Sequence, residues 1–189
     1  GHPKSAPEEV DAHFAAGEVR FVGAVRVVGE EELDTLAKRD VELAIRQAKD
    51  GYCEDAEADW LQARRRQVRR EQWEDEQRKP VRAAIASCWS NRAKAMVERE
   101  EKVAALLRAR GADHWDPEYR EQAAVLAQTL HDEGLAARAQ EDWGVAFTAF
   151  DTASALEPQR SWSRKYAEEA RDFLLDIDDA SLAAAEEDR

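Results

Sequence analysis

Turn formers are scarce in this sequence, with eight glycines and five prolines among 189 residues. That scarcity points away from a turn-rich β architecture and toward helices. Long apolar runs are missing too: no stretch of about 18 apolar residues is available to cross a membrane as a helix. Cysteine is limited to Cys53 and Cys88, which form no CxxC. Two isolated thiols in a chain of this length are expected to stay reduced, which implies an intracellular, cytoplasmic setting. The histidines, His2, His13, His114 and His131, are scattered, none with a second histidine or a cysteine at metal-ligand spacing. Neither HExxH, nor a glycine-rich phosphate loop, nor GxSxG occurs. No catalytic centre, metal or cofactor is therefore expected.

What remains is charge and alanine. Charged residues make up 37% of the chain and hydrophobic ones 43%, with a mean hydropathy of −0.73. Abundant Ala, Glu and Arg favour helix. The net charge of −13 argues against bulk attraction to nucleic acid or anionic lipid. One local exception is Arg64-Arg65-Arg66 with Arg69-Arg70, flanked by Trp60 and Trp73. Acidic blocks on both sides largely cancel its field, and on a helix the arginines spread around the circumference. A salt-bridged, solvated helix is the plain reading of this segment. A docking patch for an acidic peptide, or a nucleic-acid-binding bundle centred on Arg64–Arg70, is the sharper one.

The first residues, Gly1-His2 in place of a methionine, read as the scar of an excised fragment. Residues 1–29 form a flexible lead-in whose segment 19–29 (VRFVGAVRVVG) offers a candidate strand with Phe21, Val25 and Val27 on one face. Residues 30–80 read as two N-terminal helices, a cap or a coiled arm. The first carries a stripe of Leu33, Leu36, Val41, Ala44, Ile45 and Ala48 that ends at Asp50-Gly51; the second is a long polar helix over 53–79. Pro80 starts or kinks the next helix, 81–110, whose buried side is expected to hold Ile85, Cys88, Trp89, Met96, Val103, Leu106 and Leu107. Asp116-Pro117 is a strong restart, an N-cap followed by proline in the first turn. Helices 117–138, 142–156 and 161–178 follow, the last with Trp162, Tyr166, Ala170, Phe173, Leu174 and Ile177 as its stripe, and 179–189 is a fraying tail. The fold class is all-α.

From Gly134, the residues Ala146, Phe150, Ala153 and Pro158 lie 12, 16, 19 and 24 positions on. This spacing resembles the tetratricopeptide repeat, a helix–turn–helix unit of about 34 residues. Trp143 takes an aromatic position common in that family, and Leu130 stands for the usual tryptophan; Glu133, Ala137 and Glu141 depart from the pattern. A weaker echo begins at CWSNRAKAM (88–96), with Ala93, Ala105 and Pro117 at matching offsets. SWSRKYAEEA (161–170) is similar to the solvating helix that ends such arrays. The resemblance implies helical hairpins stacked over 81–178 and a non-enzymatic scaffold or adaptor for a protein or peptide. Gly134 and Ala146 are then expected to face each other across a tight helix pair.

In such stacks the first helices of successive units line the concave side. That places Asn91, Lys94 and Arg99 beside Arg120, Gln128, His131, Arg160 and Arg164, and the set implies a ligand with acidic residues among apolar ones. Asn91, Arg160 and Arg164 also resemble parts of the carboxylate clamp of co-chaperone adaptors. His131 and Leu135 replace its usual Lys and Asn, and Asp132 would repel a carboxylate, so the clamp is incomplete. The reading from a different class is a structural coiled-coil subunit that associates with copies of itself, which solution mass would separate from a monomeric adaptor.

Overall fold

The computed structural model describes residues 8–9, 24–25, 29–66, 78–159 and 161–187, with side chains over 29–66, 78–159 and 161–176. Seven helices make up nearly all of it: α1 (Glu30–Lys49), α2 (Cys53–Arg66), α3 (Arg78–Ala95), α4 (Arg99–Ala112), α5 (Pro117–Ala139), α6 (Trp143–Leu156) and α7 (Ser161–Glu187). Two-residue strands, β1 (Glu8–Glu9) and β2 (Ala24–Val25), pair antiparallel, so the candidate strand segment finds its partner in the lead-in. The class is all-α.

Helices α1 and α2, α3 and α4, and α5 and α6 form hairpins; α1 packs on α3, α3 on α5, and α7 closes against α6. The α1 stripe is buried as expected at Val41, Ala44 and Ala48, with Ala37 added, against Ala56 and Ala63 of α2. These small residues let the two helices approach closely. Positive φ at Gly51 (88°) makes the turn between them, where a side chain would be strained.

Two expectations are corrected. The anticipated helix 81–110 is two helices, broken at Met96-Val97-Glu98. One straight rod would carry Ile85, Trp89 and Leu106 along a side with no partner. Folding α4 back on α3 buries all three in one core cluster. Of the expected polar helix over 53–79, α2 covers Cys53–Arg66, residues 67–77 lie outside those described, and Pro80 stands within α3. Arg69, Arg70 and Trp73 lie outside the described residues. The tail does not fray at 179: α7 runs to Glu187, consistent with the helix-forming run Leu182-Ala183-Ala184-Ala185.

The stripe of α7 is also rotated. Ser163, Ala167 and Ala170 are buried, Trp162 and Tyr166 are half-buried, and Phe173 is 42% exposed. Phe173 instead stacks on Trp143, ring centroids 4.2 Å apart.

The cysteines do not remain free. Cys53, at the start of α2, and Cys88, within α3, form a disulfide with Cα atoms 5.7 Å apart. They are 35 residues apart in sequence, and only the packing of the first hairpin on the second brings them together. The bond weighs against the reducing compartment inferred from the cysteine pattern.

The start of α5 follows the sequence closely. The Asp116 carboxylate accepts from the Tyr119 amide (2.7 Å) and from the Ser90 hydroxyl of α3 (3.2 Å). Gln122 Nε2 donates to the Ser90 carbonyl at 2.9 Å, a second tie between these helices. One turn further, Tyr119 is buried and its hydroxyl donates to the Leu156 carbonyl at the end of α6. Burial pushes its pKa up to about 12. Tyrosine in the unfolded chain ionises near 10, so the folded state holds its proton longer. Stability is therefore full below pH 10 and is expected to fall as pH rises from 10 toward 12. Tyr119→Phe should flatten that part of a Tm-against-pH profile; an unchanged slope would assign it to other groups.

Candidate functional site

The concave-face set inferred from the resemblance is dispersed. Asn91 is exposed on α3, while Lys94 is paired with Glu118 of α5 at 3.0 Å. Arg99 makes a bidentate pair with Glu133, at 2.6 and 2.9 Å, and Gln128 donates to Asp132 at 3.0 Å. His131 is buried, not exposed: its ring lies 3.7 Å from Trp162, 5.4 Å from Phe150 and 5.6 Å from Tyr166. It belongs to the α5–α6–α7 core because its α5 face turns toward α7. Arg160 lies outside the described residues. Two members of the set, Arg120 and Arg164, do border grooves.

The first of these grooves, about 530 Å³, lies between α4, the start of α5 and the α6–α7 junction. Its construction starts from the end of α6, where the last carbonyls of a helix have no partner within it. The Tyr119 hydroxyl serves Leu156, and the Arg110 guanidinium of α4 serves Ala155. A cation at a helix C-terminus also meets the negative end of the macrodipole. Above this floor stands Trp115, 60% exposed, in the short connection between α4 and α5. His114 lies 4.8 Å from it, and the Arg120 guanidinium sits 5.5 Å from its ring centroid. Leu156 and Pro158 add apolar wall, and Glu157 is the acidic residue of the lining.

A second groove, about 400 Å³, adjoins the first through Arg110 and Pro158 and runs between α6 and α7. Phe147, Asp151, Ser154, Arg164 and Arg171 border it, and Arg164 pairs with Glu168 of its own helix at 3.2 Å, with both side chains exposed. Such an exposed pair contributes only a few tenths of a kcal/mol and yields readily to a ligand. Together the two grooves carry Arg110, Arg120, Arg164 and Arg171 against Asp151, Glu157 and Glu168, a local cation excess on a chain of net charge −13.

Sequence reasoning missed Arg110, Trp115 and Arg171, because nothing in their neighbours marks them and they meet only through the hairpin packing. A tryptophan in the short stretch between Gly111 and the Asp116 cap was the available signal. The Arg64–Arg66 run is likewise divided by the fold: Arg66 pairs with Asp40 of α1, and Arg64 borders a third groove between α2, α3 and α4. Among the described residues, no group of three or more His, Cys, Asp or Glu side chains is placed to hold a metal ion, and no helix is long and apolar enough to cross a membrane. No protein-family model, curated protein or solved structure shows significant similarity to this chain.

Proposed function

We propose that this chain is a non-enzymatic scaffold of tetratricopeptide-like helical hairpins that binds a protein partner through an acidic segment with apolar residues. The observation that carries the reading is the exposed Trp115, set between Arg120 and His114 over a groove floored by Arg110 and Tyr119. Trp, Tyr and Arg are the residues that dominate protein interfaces, since each combines apolar area with a polar handle. Trp115 offers a ring for an apolar side chain, and Arg110, Arg120 and Arg164 offer donors for carboxylates along the adjoining grooves. The binding surface thus shifts from the faces carrying Asn91, Lys94 and His131 to the edge where hairpins meet. The Cys53–Cys88 disulfide favours an oxidising setting for this role over the cytoplasm.

Selection from a random peptide display library tests the reading. Enriched peptides should combine Asp or Glu with Leu, Phe or Trp, and their affinity should fall as salt rises. Trp115→Ala, and Arg120→Glu with Arg164→Glu, should weaken the selected peptides roughly tenfold, ~1.4 kcal/mol. All three side chains are exposed, so the Tm should barely move. A library that enriches nothing, or peptides that bind these variants as well as the parent, would refute the assignment.

A further inference from the structure

Helix α7 outruns the helix it packs on. At a rise of 1.5 Å per residue its 27 residues span roughly 40 Å, against roughly 21 Å for the 14 residues of α6. Its buried positions, Ser163, Ala167 and Ala170, all lie near its start. Beyond Ala170 the described side chains are exposed or half-buried through Asp176. Asp172, Leu175 and Asp176 stand three and four positions apart and so share one face of the helix. Leu175 is 55% exposed there, an apolar side chain between two carboxylates. The Asp172 carboxylate pairs with Arg171 beside it at 3.0 Å, both side chains exposed, and such a pair yields readily to another partner. Phe173, on the neighbouring face, is held by its stack on Trp143.

This face has the composition of the ligand that the Trp115 groove suits, and the groove is complementary to it. Trp115 and Arg120 are both exposed, with the guanidinium 5.5 Å from the ring centroid. Arg110 donates to a neutral acceptor, the Ala155 carbonyl, and so keeps its full charge at the groove floor. Glu157 is the one carboxylate among the described residues of the lining. Leu175 has an apolar ring to meet in Trp115, and Asp172 and Asp176 have guanidinium forks to meet in Arg120 and Arg110. Within one chain the two surfaces are kept apart. Pro158 and Gln159 of the groove precede α7, and Leu175 lies roughly 21 Å along that continuous helix. A second copy brings them together. The net charge of −13 on each copy opposes approach, but at physiological salt it is screened beyond about 8 Å, and contact pairs lie well inside that distance. We propose that the chain associates head to tail, the Asp172–Asp176 face of α7 in one copy seated in the Trp115 groove of the next. The contact is heterologous, so every dimer retains one free groove and one free α7 face, and the assembly grows with concentration. The proposal rests on the Trp115 groove being a site for acidic segments.

Sedimentation velocity of the oxidised chain at about 0.15 M salt tests the contact. The weight-average mass should rise above that of a monomer between about 10 µM and about 1 mM, the range for a contact smaller than a standard interface. Leu175→Glu with Asp176→Lys, and separately Trp115→Ala with Arg120→Glu, should each leave a monomer with an unchanged circular dichroism spectrum. Mixing these two variants in equal amounts should restore a one-to-one dimer and nothing larger, because one intact groove and one intact α7 face remain between them. Association that persists in the Trp115 and Arg120 double variant but vanishes in the Leu175 and Asp176 one would mark an α7-to-α7 contact and overturn the proposal. A mixture that stays monomeric would overturn it as well. A monomeric parent whose groove still binds library-selected acidic peptides would remove the head-to-tail contact alone; a monomeric parent that binds no peptide would remove the groove reading with it.

Discussion

Truncating Phe150 to alanine is expected to remove about 3–5 kcal/mol of stability, the range for deleting a buried aromatic ring. For a chain of this size, each kcal/mol lowers Tm by roughly 2–4 °C. The ring has no exposed surface and is stacked on Tyr166 with centroids 5.2 Å apart, His131 lying 5.4 Å away. It occupies the space left by Gly134: a Cβ there would lie 2.6–2.9 Å from three ring carbons of Phe150. The atoms nearest to Gly134 are thus those of Phe150, one turn beyond Ala146 on α6. The glycine is small to admit the ring, and Ala146 is buried beside it in the same cluster. A reversal of sign follows. In the parent, Gly134→Ala should destabilise, because the overpacking exceeds the helix-propensity gain of about 1 kcal/mol. In the Phe150→Ala background the methyl meets an opened space, and the same substitution should stabilise. Urea unfolding of the four chains gives the coupling directly. Additive effects would show that the ring and the glycine do not share this space.

The parts of this fold legible in sequence are those set by local chemistry. Asp116-Pro117 announced α5 because the carboxylate cap and the proline act within one turn. The α1 stripe and the burial of Ile85, Trp89 and Leu106 were likewise readable, since periodicity reports packing demands. The break at Met96-Val97-Glu98 carries neither glycine nor proline, and Glu98 makes no side-chain cap, so the chain folds back there for the benefit of tertiary burial alone. His131 looked available because its sequence neighbours are polar; only the arrival of Trp162 and Tyr166 from α7 encloses it. The grooves were illegible for the same reason. Arg64, Arg82 and Arg108 lie on three helices, and their convergence exists only in three dimensions.

The Cys53–Cys88 bond was the other feature that spacing could not show, and its removal should rank with Phe150→Ala in effect. Its sequence separation of 35 residues places its chain-entropy contribution at about 4 kcal/mol, since reduction frees that loop in the unfolded state. The native state should also feel the loss. Helix α2 packs chiefly on α1 and meets α3 along a shorter contact, so the disulfide is the covalent tie between the first hairpin and the second. Around it, Glu54 pairs with Arg92 at 2.6 Å and Glu57 accepts from Trp89. The Glu54 carboxyl is held below the ordinary carboxylate range, first by a backbone hydrogen bond within its own residue and then by the Arg92 guanidinium. Exposed pairs of this kind cannot replace a covalent bond, because solvent screens them. Dithiothreitol should therefore lower the Tm of the parent, and Cys53→Ala with Cys88→Ala should reproduce the reduced value and be insensitive to the reductant. Hydrogen exchange should quicken most in α1 and α2, with α5 to α7 nearly unaffected, because the bond lies outside their packing. A parent whose thiols titrate as free after full reduction, yet which melts at its oxidised temperature, would show that the helix contacts alone hold the hairpins together.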